Sequence, residues 1–203
     1  MTRYFLAFLA PVLVAAELPA LEPAALGVFP RGLRRGSEVS ISIRGRNLQQ
    51  LQGAVISGGG VTAKVIEATA YRAKLTVQAS ANAELGRRDL RLLAPHGSTL
   101  TWIDISDFAE RFEKEPNTEI SSAEPLAMPA LINGVITAAD YDYFRFEASA
   151  GETLSLELLA TRNGSSLDGV LELLDKNGRT IEYCDDYYAF KDPRIIHTFA
   201  ASG

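Results

Sequence analysis

Glu113, Glu115 and Asn117 alternate with Lys114 and Pro116 in the run 112–120, FEKEPNTEI. Residues two apart on an extended backbone project to the same side. One face of this run would therefore offer two carboxylates and an amide. Calcium takes six to eight such hard oxygens at about 2.3–2.6 Å. Asp140 and Asp142 precede the alternating Phe144 and Phe146, so Asp142 is expected to share their inward face. A carboxylate there needs a cation, backbone N–H groups or an arginine, because an unpaired buried charge is costly. Two readings follow. Either Glu113, Glu115, Asn117, Asp140 and Asp142 are ligands for Ca2+, or the run is a solvated acidic linker and the two aspartates cap a turn.

Other polar groups carry less. Asp185 and Asp186, with Asp192 nearby, lie among Tyr183, Tyr187 and Tyr188. They read as a second cation site or an aromatic face for a polysaccharide or peptide, or as a loop whose aspartates bond local amides. Asp175-Lys176-Asn177-Gly178 resembles the start of an EF-hand loop, but Arg179 occupies a ligand position and no glutamate follows at loop position 12. Ser165 and Ser166 are not framed as a nucleophile elbow. His96, His197 and Cys184 show neither zinc spacing nor a third group to orient a thiol–imidazole pair. Gly58-Gly59-Gly60 lacks the Lys-Ser/Thr ending of a phosphate-binding loop. The segment is therefore expected not to be an enzyme.

Positioning these residues requires strands. In SEVSISIRG (37–45), Val39, Ile41 and Ile43 face one way while Ser40, Ser42 and Arg44 face the other. Ala73, Leu75 and Val77 alternate with Lys74, Thr76 and Gln78; Leu90 and Leu92, then TLTWIDI (99–105), repeat the rule. Beyond a charged seam, Phe144, Phe146 and Ala148, then Leu154, Leu156 and Leu158, then Leu171 and Leu173 resume it. One buried and one wet face per strand is the signature of packed antiparallel sheets. The expected fold is all-β, two tandem β-sandwiches. Asn177-Gly178 predicts a tight hairpin turn.

The 203 residues carry a net charge of −5, with lysines and arginines scattered along the chain, which excludes a basic footprint for nucleic acid. A single cysteine rules out an internal disulfide. Arg3, the apolar run 4–16 and Val14-Ala15-Ala16 have the layout of a secretory signal. That run is too short to span a bilayer, so no membrane span is expected. Residues 1–16 are read as a signal peptide, 17–107 as an Ig-like sandwich, 108–122 as an acidic linker and 123–203 as a second sandwich lacking its last strands. Export without disulfides suggests a bacterial secreted or periplasmic protein.

The second half resembles the bacterial pre-peptidase C-terminal (PPC) domain. The resemblance rests on Glu115-Pro116-Asn117, Ala123, Leu126, Pro129, Gly134-x-Ile136, Asp140-x-Asp142-Tyr143-Phe144-x-Phe146, Gly151, Leu167-Asp168, Leu171-x-Leu173-x-Asp175, Gly178 and Asp185-Asp186. It implies a jelly-roll-like, non-catalytic sandwich appended to secreted enzymes, with calcium held in some members at the positions matching 113, 115, 117, 140 and 142. The first half resembles the IPT/TIG type of Ig-like domain through Val28-Phe29-Pro30, Gly36-Ser37-Glu38-Val39 and Gly45-x-Asn47-Leu48. Together these imply an accessory module that binds an extracellular protein or polysaccharide, or supports an adjacent catalytic domain. The alternatives are the N-terminal portion of a secreted hydrolase with its catalytic domain beyond residue 203, or part of a cell-surface adhesion array.

Overall fold

A computed structural model describes residues 21–137 and 140–203. The reading of 1–16 as a signal peptide lies outside the described residues. Among them, no helix is long and apolar enough to cross a membrane.

The chain is all-β. Eight strands build the first half: β1 (Ala24–Phe29), β2 (Gly32–Arg34), β3 (Glu38–Arg46), β4 (Gly53–Ile56), β5 (Val61–Ala68), β6 (Arg72–Ala79), β7 (Gly86–Ala94) and β8 (Gly97–Ser106). They form two four-stranded sheets in the orders β1-β3-β6-β5 and β2-β8-β7-β4. The alternation read from the sequence decides which face is buried. Ile41 and Ile43 of β3 and Leu75 and Val77 of β6 meet Leu90 and Leu92 of β7 and Ile103 and Ile105 of β8 in one apolar cluster. Ser40, Ser42 and Arg44, on the opposite parity of β3, are exposed. The halves of this sandwich are held by burial of apolar surface, at about 25 cal/mol per Å2.

The second half is built of short two-stranded ladders. They are β9 (Glu110–Phe112) with β11 (Leu131–Asn133), β10 (Glu124–Pro125) with β12 (Phe144–Arg145), β13 (Thr153–Glu157) with β16 (Arg194–Thr198), and β14 (Leu171–Leu174) with β15 (Thr180–Cys184). The first two ladders are parallel and the last two antiparallel. Among the described residues its buried apolar side chains are few: Ala148, Ala160, Leu173, Pro193 and Ile195. The predicted hairpin turn joins β14 to β15. Gly178 there has φ +77° and donates to Asp175 O at 2.9 Å, a backbone conformation glycine adopts without strain.

Buried polar groups compensate for this thin core. Asp192 is fully buried and accepts from the N–H groups of Ala160, Thr161 and Arg162, the Thr161 hydroxyl and Arg162 Nε. Burial alone would raise its carboxyl, but the N–H groups of Arg162 and Thr161 outweigh it and hold the carboxyl below its ordinary range. Arg31 joins the halves: its Nη1 donates to Trp102 O at 3.0 Å and its Nη2 to Asn163 O at 2.6 Å, while its guanidinium lies over the Trp102 ring.

Candidate metal centre

The stretch expected as a free acidic linker is hydrogen-bonded into the second half. β9 runs parallel to β11, and Glu113 N continues the ladder to Asn133 O at 3.1 Å. Lys114 N donates to Glu124 Oε2 at 2.9 Å, and Arg111 Nη2 holds Glu124 Oε1 at 3.2 Å. The buried Glu124 thus fixes the path on which Glu113 and Glu115 are displayed. At Asn117, four residues beyond Glu113, the backbone carbonyl accepts from Tyr143 N at 2.8 Å. That one backbone bond carries Asp142 to the acidic run.

The result is a convergence of charge. Carboxylate oxygens of Glu113, Glu115 and Asp142 lie within 4.8 Å of one another. Two oxygens bound to one Ca2+ at about 2.3–2.6 Å can be no more than about 5 Å apart, so the spread is compatible with a shared ion. Glu113 Oε1 accepts from Val135 N at 2.6 Å, and Glu115 Oε2 accepts from Asn117 N at 3.0 Å. Among the described residues, Glu113 Oε2 and Asp142 Oδ1 are buried with no hydrogen-bond partner. Asn117 is fully buried, and both polar atoms of its side chain are also without a partner. Buried polar atoms are almost always paired, so the three orphan oxygens, Glu113 Oε2, Asn117 Oδ1 and Asp142 Oδ1, call for a missing partner, whereas Asn117 Nδ2 is an N–H donor that a cation cannot satisfy. The donor types, two acids and an amide, are those of a hard cation.

Electrostatics agree with the geometry. Asp142 is pushed up to about 6, first by burial, then by the charge of Glu113 and the bond that only a protonated carboxyl could make to it, and further by Asp140 and Glu115. Without a cation the cluster relieves its repulsion by holding a proton up to about pH 6, and above that pH the repulsion remains.

Of the five expected ligands, Glu113, Glu115 and Asp142 converge and Asn117 is buried at the bend between the first two and Tyr143. Asp140 stays outside the group. Its Oδ2 accepts from Thr137 Oγ1 and its Oδ1 from Tyr141 N, both at 3.0 Å, the turn-capping role that competes with ligation. In the sequence, Gly134 stands out only as part of the PPC resemblance, with no role at the acidic run. A Cβ there would meet Glu113 Oε2, and would lie 2.9 Å from its Cδ, so only a glycine lets the Glu113 carboxylate lie against the Val135 amide.

The second acidic group behaves differently. Asp168, Asp185 and Asp186 place oxygens within 4.8 Å, yet all three residues are exposed and Lys191 pairs with Asp168. Asp192, expected beside them, is the buried anchor described above. His197 Nδ1 lies 2.7 Å from Glu182 Oε1, while the Cys184 thiol accepts from Arg194 N at 3.4 Å. The two do not pair.

Comparison with known proteins corrects the family resemblances. Residues 22–100 match the family model described as quinohemoprotein amine dehydrogenase, alpha subunit domain III. The matched family is neither the IPT/TIG type nor the PPC domain, so both resemblances are set aside. The strand alternation and turn residues that suggested them are common to many β-sandwiches and do not discriminate between families. No curated protein matches the chain. Among solved structures, it is similar to a Bacteroides ovatus mixed-linkage glucan utilization locus protein, SGBP-B, in complex with a mixed-linkage heptasaccharide. Identity is 13% and the TM-score 0.34, over 88% of this chain and 36% of that one. The chain thus spans about a third of that protein's length.

Proposed function

We propose that this chain is a non-catalytic, exported β-sandwich module that takes up Ca2+ at its acidic junction and binds an extracellular polymer or positions an adjacent catalytic domain. The observation that carries the reading is the convergence of Glu113, Glu115 and Asp142 within 4.8 Å, with buried unpartnered oxygens on Glu113 and Asp142. Glu113, Glu115 and Asp142 would supply carboxylate oxygens, and the buried Asn117 is the amide available to join them. The cation would supply the positive charge this cluster lacks. It would also cross-link the segment after β9 to the segment before β12, stiffening the path between the two halves. Because such an ion binds the folded chain and not the unfolded one, it stabilises by mass action.

Isothermal titration with CaCl2, together with thermal unfolding in calcium and in EGTA, tests this. Heat of binding near one ion per chain is expected. A stability gain of about 2.7 kcal/mol should appear at a free calcium concentration about 100 times Kd. Absence of binding heat together with superimposable melting curves would refute the metal centre.

A further inference from the structure

In an acidic chain of net charge −5, the outer face of the β1-β3-β6-β5 sheet gathers cations. Arg44 and Arg46 of β3, Arg72 and Lys74 of β6 and Lys64 of β5 are all exposed. All lie on the strand parity opposite the core-facing Ile41, Ile43 and Leu75, with Lys64 likewise opposite Val65. The carboxylates of that face are Glu38 and Glu67. Among the described residues, none of the five cations makes an ion pair or a side-chain hydrogen bond. Arg44 stands directly opposite Arg72 in the ladder, a like-charge pair that destabilises a sheet unless an anion offsets it.

The same face carries the means to read a sugar. Two shallow clefts of about 430 and 480 Å3 lie on it. The first is walled by Phe29 and Phe112, whose rings meet edge to face at 5.8 Å, with Ser42, Arg72 and Lys74 around them and, among the described residues, Glu67 as its one carboxylate. The second is lined by Thr62, Thr76 and Gln78, with Lys64 and Glu38 as its charged residues. Exposed rings stack on the apolar faces of pyranoses, while hydroxyl and amide side chains bond to their hydroxyls.

The geometry points to an anionic polysaccharide as the polymer this module binds, seated across the outer face of β3, β6 and β5 with its end against the Phe29–Phe112 pair. The identification deepens the proposed function and rests on its polymer-binding reading. Guanidinium and ammonium groups hold the carboxylates or sulfates, and the two phenylalanines and the hydroxyl side chains hold the rings. Phe112 immediately precedes Glu113, so the first cleft adjoins the acidic run.

Affinity electrophoresis in EGTA, with polygalacturonate, dextran sulfate, a neutral β-glucan and duplex DNA in the gel, tests the assignment. Retardation by one or both anionic glycans is expected, with polygalacturonate and dextran sulfate separating carboxylate from sulfate recognition. Affinity should fall at least about tenfold between about 50 and 200 mM salt, as displaced counterions require. Arg72→Glu and Lys74→Glu should each weaken retardation about tenfold, and Phe29→Ala should weaken it without changing the salt dependence. Arg91→Glu, on the other sheet, should leave it unchanged. Circular dichroism confirms that each variant is folded. No retardation, retardation equal in Arg72→Glu and wild type, or stronger retardation by DNA would each overturn the assignment. Calcium titration of the same preparation separates the two readings. Calcium uptake without glycan binding overturns this inference alone, and glycan binding without calcium uptake overturns the metal centre alone.

Discussion

Replacing Asp142 by asparagine separates a cation site from an acidic turn, because the two predict opposite signs. In the calcium-free protein Asp142 is held at about 6 rather than 3.8, chiefly by burial and by the charge of Glu113. Its native carboxyl therefore keeps a proton that the unfolded chain gives up. The associated stability is fully present below about pH 4 and is lost as pH rises through about 6. At 1.36 kcal/mol per unit, that is about 3 kcal/mol of penalty near neutral pH, and about 2 kcal/mol once water's partial access is allowed for. Asp142→Asn removes the penalty. Thermal unfolding in EGTA near pH 7 should show the variant more stable by about 2 kcal/mol, which for a chain of this size is about 4–8 °C. Its stability should no longer fall between about pH 4 and 7. In calcium the ranking should invert, since the variant gains little from the ion and the wild type gains the full linkage energy. If Asp142→Asn is the less stable protein in EGTA, Asp142 holds the turn through local bonds, and the electrostatic reasoning fails.

Two further perturbations probe what holds the second half and the junction. Asp192→Ala leaves Arg162 Nε, the Thr161 hydroxyl and three N–H groups without their acceptor, while Glu157 still pairs with Arg162 Nη2, so urea unfolding should show a loss of about 3 kcal/mol, read as a lowered midpoint at constant slope. Arg31→Ala removes the bonds to Trp102 O and Asn163 O and the stack on the Trp102 ring, at a cost of about 2–3 kcal/mol. Limited proteolysis should then cut between the halves faster than in wild type, while the melting of the first sandwich, whose core does not contain Arg31, should change little.

Period-two alternation is enough to assign the all-β class and to place Ile41, Ile43, Leu75, Val77, Leu90 and Leu92 in the core. Burial of alternate side chains is a local property of an extended backbone, so it is written along the chain. The Asn177-Gly178 turn was legible for the same reason. The acidic run was visible too, along with the argument that Asp142 needs a partner. Which acids meet was not. That depends on the Tyr143 N to Asn117 O bond and on the close approach of Gly134 to Glu113, contacts between segments some twenty residues apart. It also depends on Asp140 spending its oxygens on Thr137 and Tyr141. Family motifs misled, because strand alternation and turn glycines recur in unrelated sandwiches.

Composition described the lysines and arginines as scattered, and along the chain they are. Register alone stacks Arg44 against Arg72 and sets Lys74 between Ser42 and Glu67, gathering on one face charges that come from separate strands. Local sequence determined which side of each strand is wet. Only the lateral pairing of β1, β3, β6 and β5 decided which wet residues became neighbours, because cross-strand proximity is set by hydrogen-bond register between segments distant in the chain.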